Sequence, residues 1–160
     1  MTVPSHVLDS VLVAAQAAAD KKGRSIVAFD VSEQLAITDV FLIASANNER
    51  QVGAIVDGVE ETLLTHKLKP TRREGDRENR WVLLDYLDFV VHVQHDEERT
   101  LYNLERLWSD CPQIELNLDL PPAEEAAIVL ARVCLPVIGA VFHKRIRAAS
   151  RGRSQTSRRV

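Results

Sequence analysis

Sulfur and glycine are scarce in this chain: 160 residues hold two cysteines, one methionine and six glycines. Cys111 and Cys134 stand far apart, with no CxxC pair and no histidine pair at metal-ligand spacing, so neither a disulfide framework nor a zinc site is indicated. Two reduced cysteines in a cytosolic protein are the expectation. The glycines fall into no GxGxxG, GxxxxGK[ST] or GxSxG pattern, so nothing marks a dinucleotide cradle, a phosphate loop or a nucleophile elbow. Missing too are the cationic start and continuous apolar core of a signal peptide, because Asp9, Gln16, Asp20 and Lys21 interrupt the N-terminal region. A cytoplasmic location follows as the expectation.

What is present suits one globular domain with a real core: 46% of the residues are hydrophobic and 27% charged. The net charge of −3 hides an asymmetry. From His143 onward there are seven basic residues and no acid, so residues 1–142 hold 13 basic and 23 acidic residues, net −10. An acidic domain is poorly suited to wrapping nucleic acid, whose phosphates are met by Lys and Arg. A basic protein partner suits it better, since complementary charge assists encounter.

The block from Trp81 to Trp108 organises the rest. Trp81–Tyr86 and Phe89–Gln94 are apolar runs separated by Leu87-Asp88, which reads as a hairpin. Trp81, Leu83 and Asp85 then point to one face, and Val82, Leu84 and Tyr86 to the other. Both faces are largely apolar, so either the strand is buried on both sides or one side awaits a partner molecule. Acids at 96–98 open a helix in which Leu101, Leu104, Leu107 and Trp108 follow at helical spacing.

Upstream, the spacing predicts a helix over residues 4–22 stopped by Gly23, a strand over 25–31 and a second strand over 37–44, able to pair as a hairpin. A helix from Asn48 to about Lys67 follows, with Asn48 and Gln51 placed as a capping box. The charged stretch 71–80 holds a short strand, with Gly75-Asp76 as its turn signal. Downstream, residues 113–122 read as a linker, 123–147 as an apolar helical extension and 148–160 as a basic disordered tail. The apolar run 126–142 contains Arg132 and Pro136, and a central Arg costs about 2.5–3.5 kcal/mol on membrane-insertion scales. A span needs about 20 apolar residues, so a helix packed on protein ranks above membrane insertion.

The nearest approach to a metal site is Asp85 with Asp88, followed by His92 and His95. Acids flanking a turn are common for local hydrogen bonding, and both histidines read as ordinary polar positions.

Five segments in order and spacing resemble the RsfS family, also called the Iojap or ribosomal silencing factor family. They are Thr38–Ser45, Asn48–Val52, Arg73–Gly75, Trp81–Val93 and Arg99–Trp108, within roughly residues 7–110. Ala46 stands where the family usually has glycine, and the chain beyond about Leu120 has no counterpart. The resemblance implies a domain over residues 1–112 of the α/β class, a small mixed β-sheet flanked by helices, with nucleotidyltransferase-like architecture but without catalytic residues. It also implies a protein that is no enzyme and needs no cofactor or metal. Members bind the fourteenth protein of the large ribosomal subunit, on the face that meets the small subunit. There they hinder subunit joining and repress translation when nutrients are scarce, and they form homodimers.

Carried onto this chain, the binding surface centres on the hairpin, with Trp81, Leu83 and Tyr86 as anchors and Glu74, Asp85 and Asp88 as acidic partners for a basic protein. If Trp81 and Leu83 pack under the first helix instead, Val82, Leu84 and Tyr86 take their place. Direct RNA contact is expected only through the basic tail. The alternative is a metal-dependent nucleotidyltransferase-like enzyme in which Asp85, Asp88 and Asp30 hold a divalent ion.

Overall fold

A computed structural model describes residues 3–119 except Asp76, so the extension and tail read from the sequence at 123–160 lie outside the described residues. The elements in chain order are α1 (Ser5–Asp20), β1 (Arg24–Asp30), β2 (Val40–Ala46), α2 (Glu49–Thr65), β3 (Arg72–Glu74), β4 (Trp81–Asp85), β5 (Phe89–His95), α3 (Asp96–Tyr102), α4 (Leu104–Leu107) and β6 (Gln113–Ile114).

Helix α1 buries Val7, Val11, Ala14, Ala15 and Ala18, an alanine-rich stripe that lets the helix lie close to its neighbours. It ends where Lys22 takes a left-handed conformation (φ 62°) and Gly23 donates its N–H to the Ala18 carbonyl at 2.8 Å. A Cβ on Gly23 would lie 2.7 Å from that carbonyl oxygen, so the glycine serves close approach while Lys22 makes the turn. Helix α2 starts where the Asn48 side chain accepts the Gln51 N–H at 2.8 Å, half of the expected capping box. The other half is not made, because the Gln51 amide donates to the Lys21 carbonyl and ties the end of α1 to the start of α2.

The sheet has the order β3-β4-β5-β2-β1-β6, with β2 and β5 parallel and every other pair antiparallel. The expected hairpins β1–β2 and β4–β5 both form. Helices α1 and α2 cover one face, where Val52, Ile55, Val56, Val59 and Leu63 meet Val40, Leu42, Val82, Leu84, Val91 and Val93 in the main core. A smaller core on the opposite face holds Phe29, Val31, Ile43 and Cys111 under Leu104 and Trp108. Strand β5 is therefore buried on both faces, while β4 alternates buried Val82 and Leu84 with half-buried Trp81, Leu83 and Asp85.

Two sequence expectations are corrected. The helix after His95 is not continuous: Asn103 adopts φ 42°, ψ 61° and separates α3 from α4. The chain does not leave the domain at Gln113, because Gln113 and Ile114 pair with Phe29 and Ala28, and Leu116 and Leu118 pack on the main core. Ala46 needs no glycine-like backbone: it ends β2 opposite His95, buried, and is not among the residues with positive φ.

Candidate functional site

Cross-strand register assembles the open face row by row. Glu74 pairs with Leu83 and Leu83 with His92; Arg72 pairs with Asp85 and Asp85 with Val90; Trp81 pairs with Gln94. Directly paired residues share a face, so Glu74, Trp81, Leu83 and Asp85 stand on one side of the sheet, away from α1 and α2. Asp88 lies exposed in the adjoining turn. Five of the six residues expected from the sequence are thus brought to one surface or its rim.

Tyr86 is the correction. It falls on the helix-covered face, 8% exposed, stacked on Phe89 with ring centroids 4.9 Å apart. Its hydroxyl has no hydrogen-bond partner, and burial pushes its pKa up. Alternation along β4 sends it to the side opposite Trp81, so it supports the core rather than the open surface.

Trp81 is held in place from several directions. Its indole Nε1–H donates to His92 Nδ1 at 3.3 Å, and its ring centroid lies 4.8 Å from that of Tyr102. His92 is itself edge-on to Phe41, which is edge-on to Trp108. Burial lowers the His92 pKa to about 4, so the ring is neutral at pH 7 and Nδ1 is free to accept. Gly75, in the turn before β4, has φ 85°, and a Cβ there would sit 1.9 Å from the Trp81 carbonyl oxygen. Only glycine allows that approach.

The acids are fixed as well. The Asp85 carboxylate accepts the Leu87 N–H at 2.8 Å, and Asp88 donates its N–H to the Tyr86 carbonyl at 3.0 Å across Leu87, whose φ is 71°. This is a strained γ-turn, and it presents Leu87 with 61% of its surface exposed. The Asp88 carbonyl accepts from Asp39 N–H at 2.8 Å and from Thr38 Oγ1 at 3.3 Å, which locks the turn to the loop before β2. Glu74 pairs with Arg72 at 2.5 Å on the exposed edge strand. Beyond the hairpin, Arg80 bonds Glu98 at 2.7 Å, Glu97 at 2.8 Å and Glu49 at 3.3 Å, and this network anchors the start of α3 beside Trp81.

The carboxylates of the metal-dependent alternative do not converge. Asp30 pairs with Val40 on the helix-covered side and its carboxylate accepts from the N–H and Oγ of Ser32, whereas Asp85 stands on the other face. Among the described residues no three His, Cys, Asp or Glu side chains are grouped to hold a metal ion. No helix among them is long and apolar enough to cross a membrane. His95, read from the sequence as an ordinary polar position, accepts the Glu97 N–H at 3.2 Å and caps α3.

Sequence reasoning missed Leu87, Leu101, Tyr102 and Leu107, all well exposed. Leu87 carried no signal, because a leucine with positive φ is not written in its residue type. For the other three the signal was Asn103, a residue that tolerates the left-handed region and interrupts the helical stripe.

Fold and face together define a class: a small mixed-sheet α/β domain with a half-open sheet surface of aromatic and acidic side chains. Comparison with known proteins narrows the class. A family model described as "Ribosomal silencing factor during starvation" matches residues 4–131. A ribosomal silencing factor RsfS of Halalkalibacterium halodurans is 42% identical over 105 residues, covering 66% of this chain and 90% of that protein. The RsfS of Bacillus subtilis is 39% identical over 108 residues, covering 68% and 92%. The chloroplastic protein Iojap of Arabidopsis thaliana is 35% identical over 106 residues but is covered over only 44% of its length. Among solved structures, one from Bacillus halodurans superposes with a TM-score of 0.60 at 38% identity, covering 71% of this chain and all of that one. Another from Chromobacterium violaceum gives a TM-score of 0.63 at 27% identity, covering 74% and 94%. The chain belongs to the ribosomal silencing factor family.

Proposed function

We propose that this protein represses translation by binding the large ribosomal subunit through its fourteenth protein and sterically blocking the small subunit from joining. The observation that carries the reading is the open face itself. Trp81 and Leu83 stand half-buried beside Glu74 and Asp85 on a domain rich in acid, a combination suited to a basic protein surface. Mechanistically the domain needs no chemistry: it occupies a surface, and exclusion follows from volume. The protein acts in the cytoplasm, where ribosomes are joined. Its homodimer competes for the same face, so self-association and silencing are alternatives.

The test is sedimentation of the full chain with isolated large subunits, with and without small subunits. A Trp81→Ala/Leu83→Ala variant shown folded by circular dichroism serves as comparison. Co-sedimentation with the large subunit and loss of joined ribosomes, both removed by the variant, supports silencing through the hairpin. A parent chain that fails to bind large subunits refutes it.

A further inference from the structure

Trp81 shares its side of the sheet with two acceptors on β5, and it uses the one further along in register. Directly opposite stands Gln94, fully buried, with both amide atoms unpartnered. The indole Nε1–H does not take this neighbour; it donates to Nδ1 of His92, which pairs with Leu83 two residues along β4. A lone pair on Nδ1 requires the proton on Nε2, so one tautomer of the neutral ring makes the bond. The imidazole is fixed in turn. Phe41 meets it edge-on with ring centroids 5.2 Å apart, and Trp108 braces Phe41 from behind at 5.1 Å. With 7% of its surface exposed, His92 is out of a partner's reach, so whatever it contributes to binding passes through Trp81.

We propose that His92 is a positioning residue: by accepting the indole N–H it selects the one orientation in which Trp81 meets a partner. The inference rests on the hairpin reading above and deepens it, naming what sets the anchor rather than what docks on it. A tryptophan side chain has roughly three χ1 wells and two χ2 wells, on the order of six orientations. Freed from His92, and with the Gln94 carbonyl and water as competing acceptors, the indole spreads over several of them. Apparent affinity then falls by the inverse of the fraction left in the docking orientation, on the order of fivefold. Stability moves the other way. A buried imidazole opposes folding relative to a leucine of similar size, so removing the acceptor weakens binding without weakening the fold.

Binding of the full chain to isolated large subunits, measured beside urea denaturation, tests this on the parent, His92→Leu, His92→Gln and Trp81→Ala. His92→Leu should bind about fivefold more weakly while unfolding at the same or a higher urea concentration, and His92→Gln, which keeps an acceptor, should recover most of the affinity. A merely structural histidine would lower affinity and unfolding midpoint together, in both variants alike, and that pattern overturns the proposal. Unchanged affinity in His92→Leu, with Trp81→Ala defective, also overturns it and leaves the hairpin reading intact. A parent that does not bind overturns both. Nitrogen NMR of the histidine rings in the unmutated protein decides without requiring any variant to fold. The Nε2–H tautomer of His92 is expected, and the Nδ1–H tautomer, which has no lone pair for the indole, overturns the proposal.

Discussion

His92 makes the stability of this domain depend on pH in a window where few side chains titrate. The imidazole lies mid-strand on β5, 7% exposed, walled by Phe41 and Trp81 and accepting the Trp81 indole N–H. In the unfolded chain it takes a proton near pH 6.5, whereas burial delays protonation in the folded state to about pH 4. Between these values the unfolded state binds more protons than the native one, so acid favours unfolding. The contribution is complete above pH 6.5 and is lost as pH falls toward 4, at up to ~1.4 kcal/mol per pH unit. From pH 7 to pH 5 the loss is about 2 kcal/mol, a large share of a typical domain's stability.

Urea denaturation followed by circular dichroism at pH 7 and pH 5 measures it, with His92→Gln as the reference. Glutamine keeps a hydrogen-bond acceptor for Trp81 and removes the titration. Carboxylates titrate alike in both proteins, so the difference between the two pH responses isolates the histidine. The parent should lose about 2 kcal/mol more than the variant over this interval. Parallel responses would mean that His92 is protonated in the native state near its ordinary pKa, and the account of a dry, neutral ring beside Trp81 would be wrong.

Gly75→Ala should destabilise the domain by on the order of 2–3 kcal/mol, because φ is 85° and the new Cβ meets the Trp81 carbonyl; thermal melting checks it, and a change under 0.5 kcal/mol refutes the close approach. Tyr86→Phe should be neutral or stabilising by up to ~1 kcal/mol, since the buried hydroxyl has no partner, whereas Tyr86→Ala should cost about 3–5 kcal/mol. Urea curves of the two variants decide between this core role and a solvent-facing one. Gln94 is fully buried with both amide atoms unpartnered, so Gln94→Met should stabilise by about 1 kcal/mol in chemical denaturation; a loss of that size would reveal partners for the amide. Asn103→Gly keeps the left-handed turn and removes the cap on α4, for an expected loss of a few tenths of a kcal/mol; a loss above 2 kcal/mol would show that the side chain does more than cap.

The hairpin and the α2 cap were legible because each rests on local chemistry: alternation about a two-residue turn, and an Asn three residues before a Gln. The face of Trp81 was not, since both sides of β4 are apolar and only the packing of α2 over Val82 and Leu84 decides. Tyr86 was chosen as an anchor for its residue type, which carries no information on whether a helix covers it. The break at Asn103 was hidden by Leu101, Leu104 and Trp108, whose spacing fits an uninterrupted helix until a single residue with positive φ turns the stripe. Strand β6 is two residues long and has no period to detect; it exists because β1 has an unpaired edge.

The two faces of the sheet divide the work of the domain. Under α1 and α2 the main core is almost purely aliphatic, which is where stability comes from. The other face buries His92 between the rings of Phe41 and Trp81 and buries Gln94 and Ser45 beside it, an arrangement that a stability-driven core would replace with aliphatic side chains. A neutral histidine must be kept dry, a glutamine amide goes unpaired, a leucine is held at φ 71°, and a helix is broken so that leucines point outward. Each feature opposes folding, and all lie along β4, β5 and the helices that follow them. The buried, unpartnered Tyr86 hydroxyl adds one such departure on the helix-covered side, and a cluster of broken local rules is the pattern expected where selection acts on more than the stability of the fold.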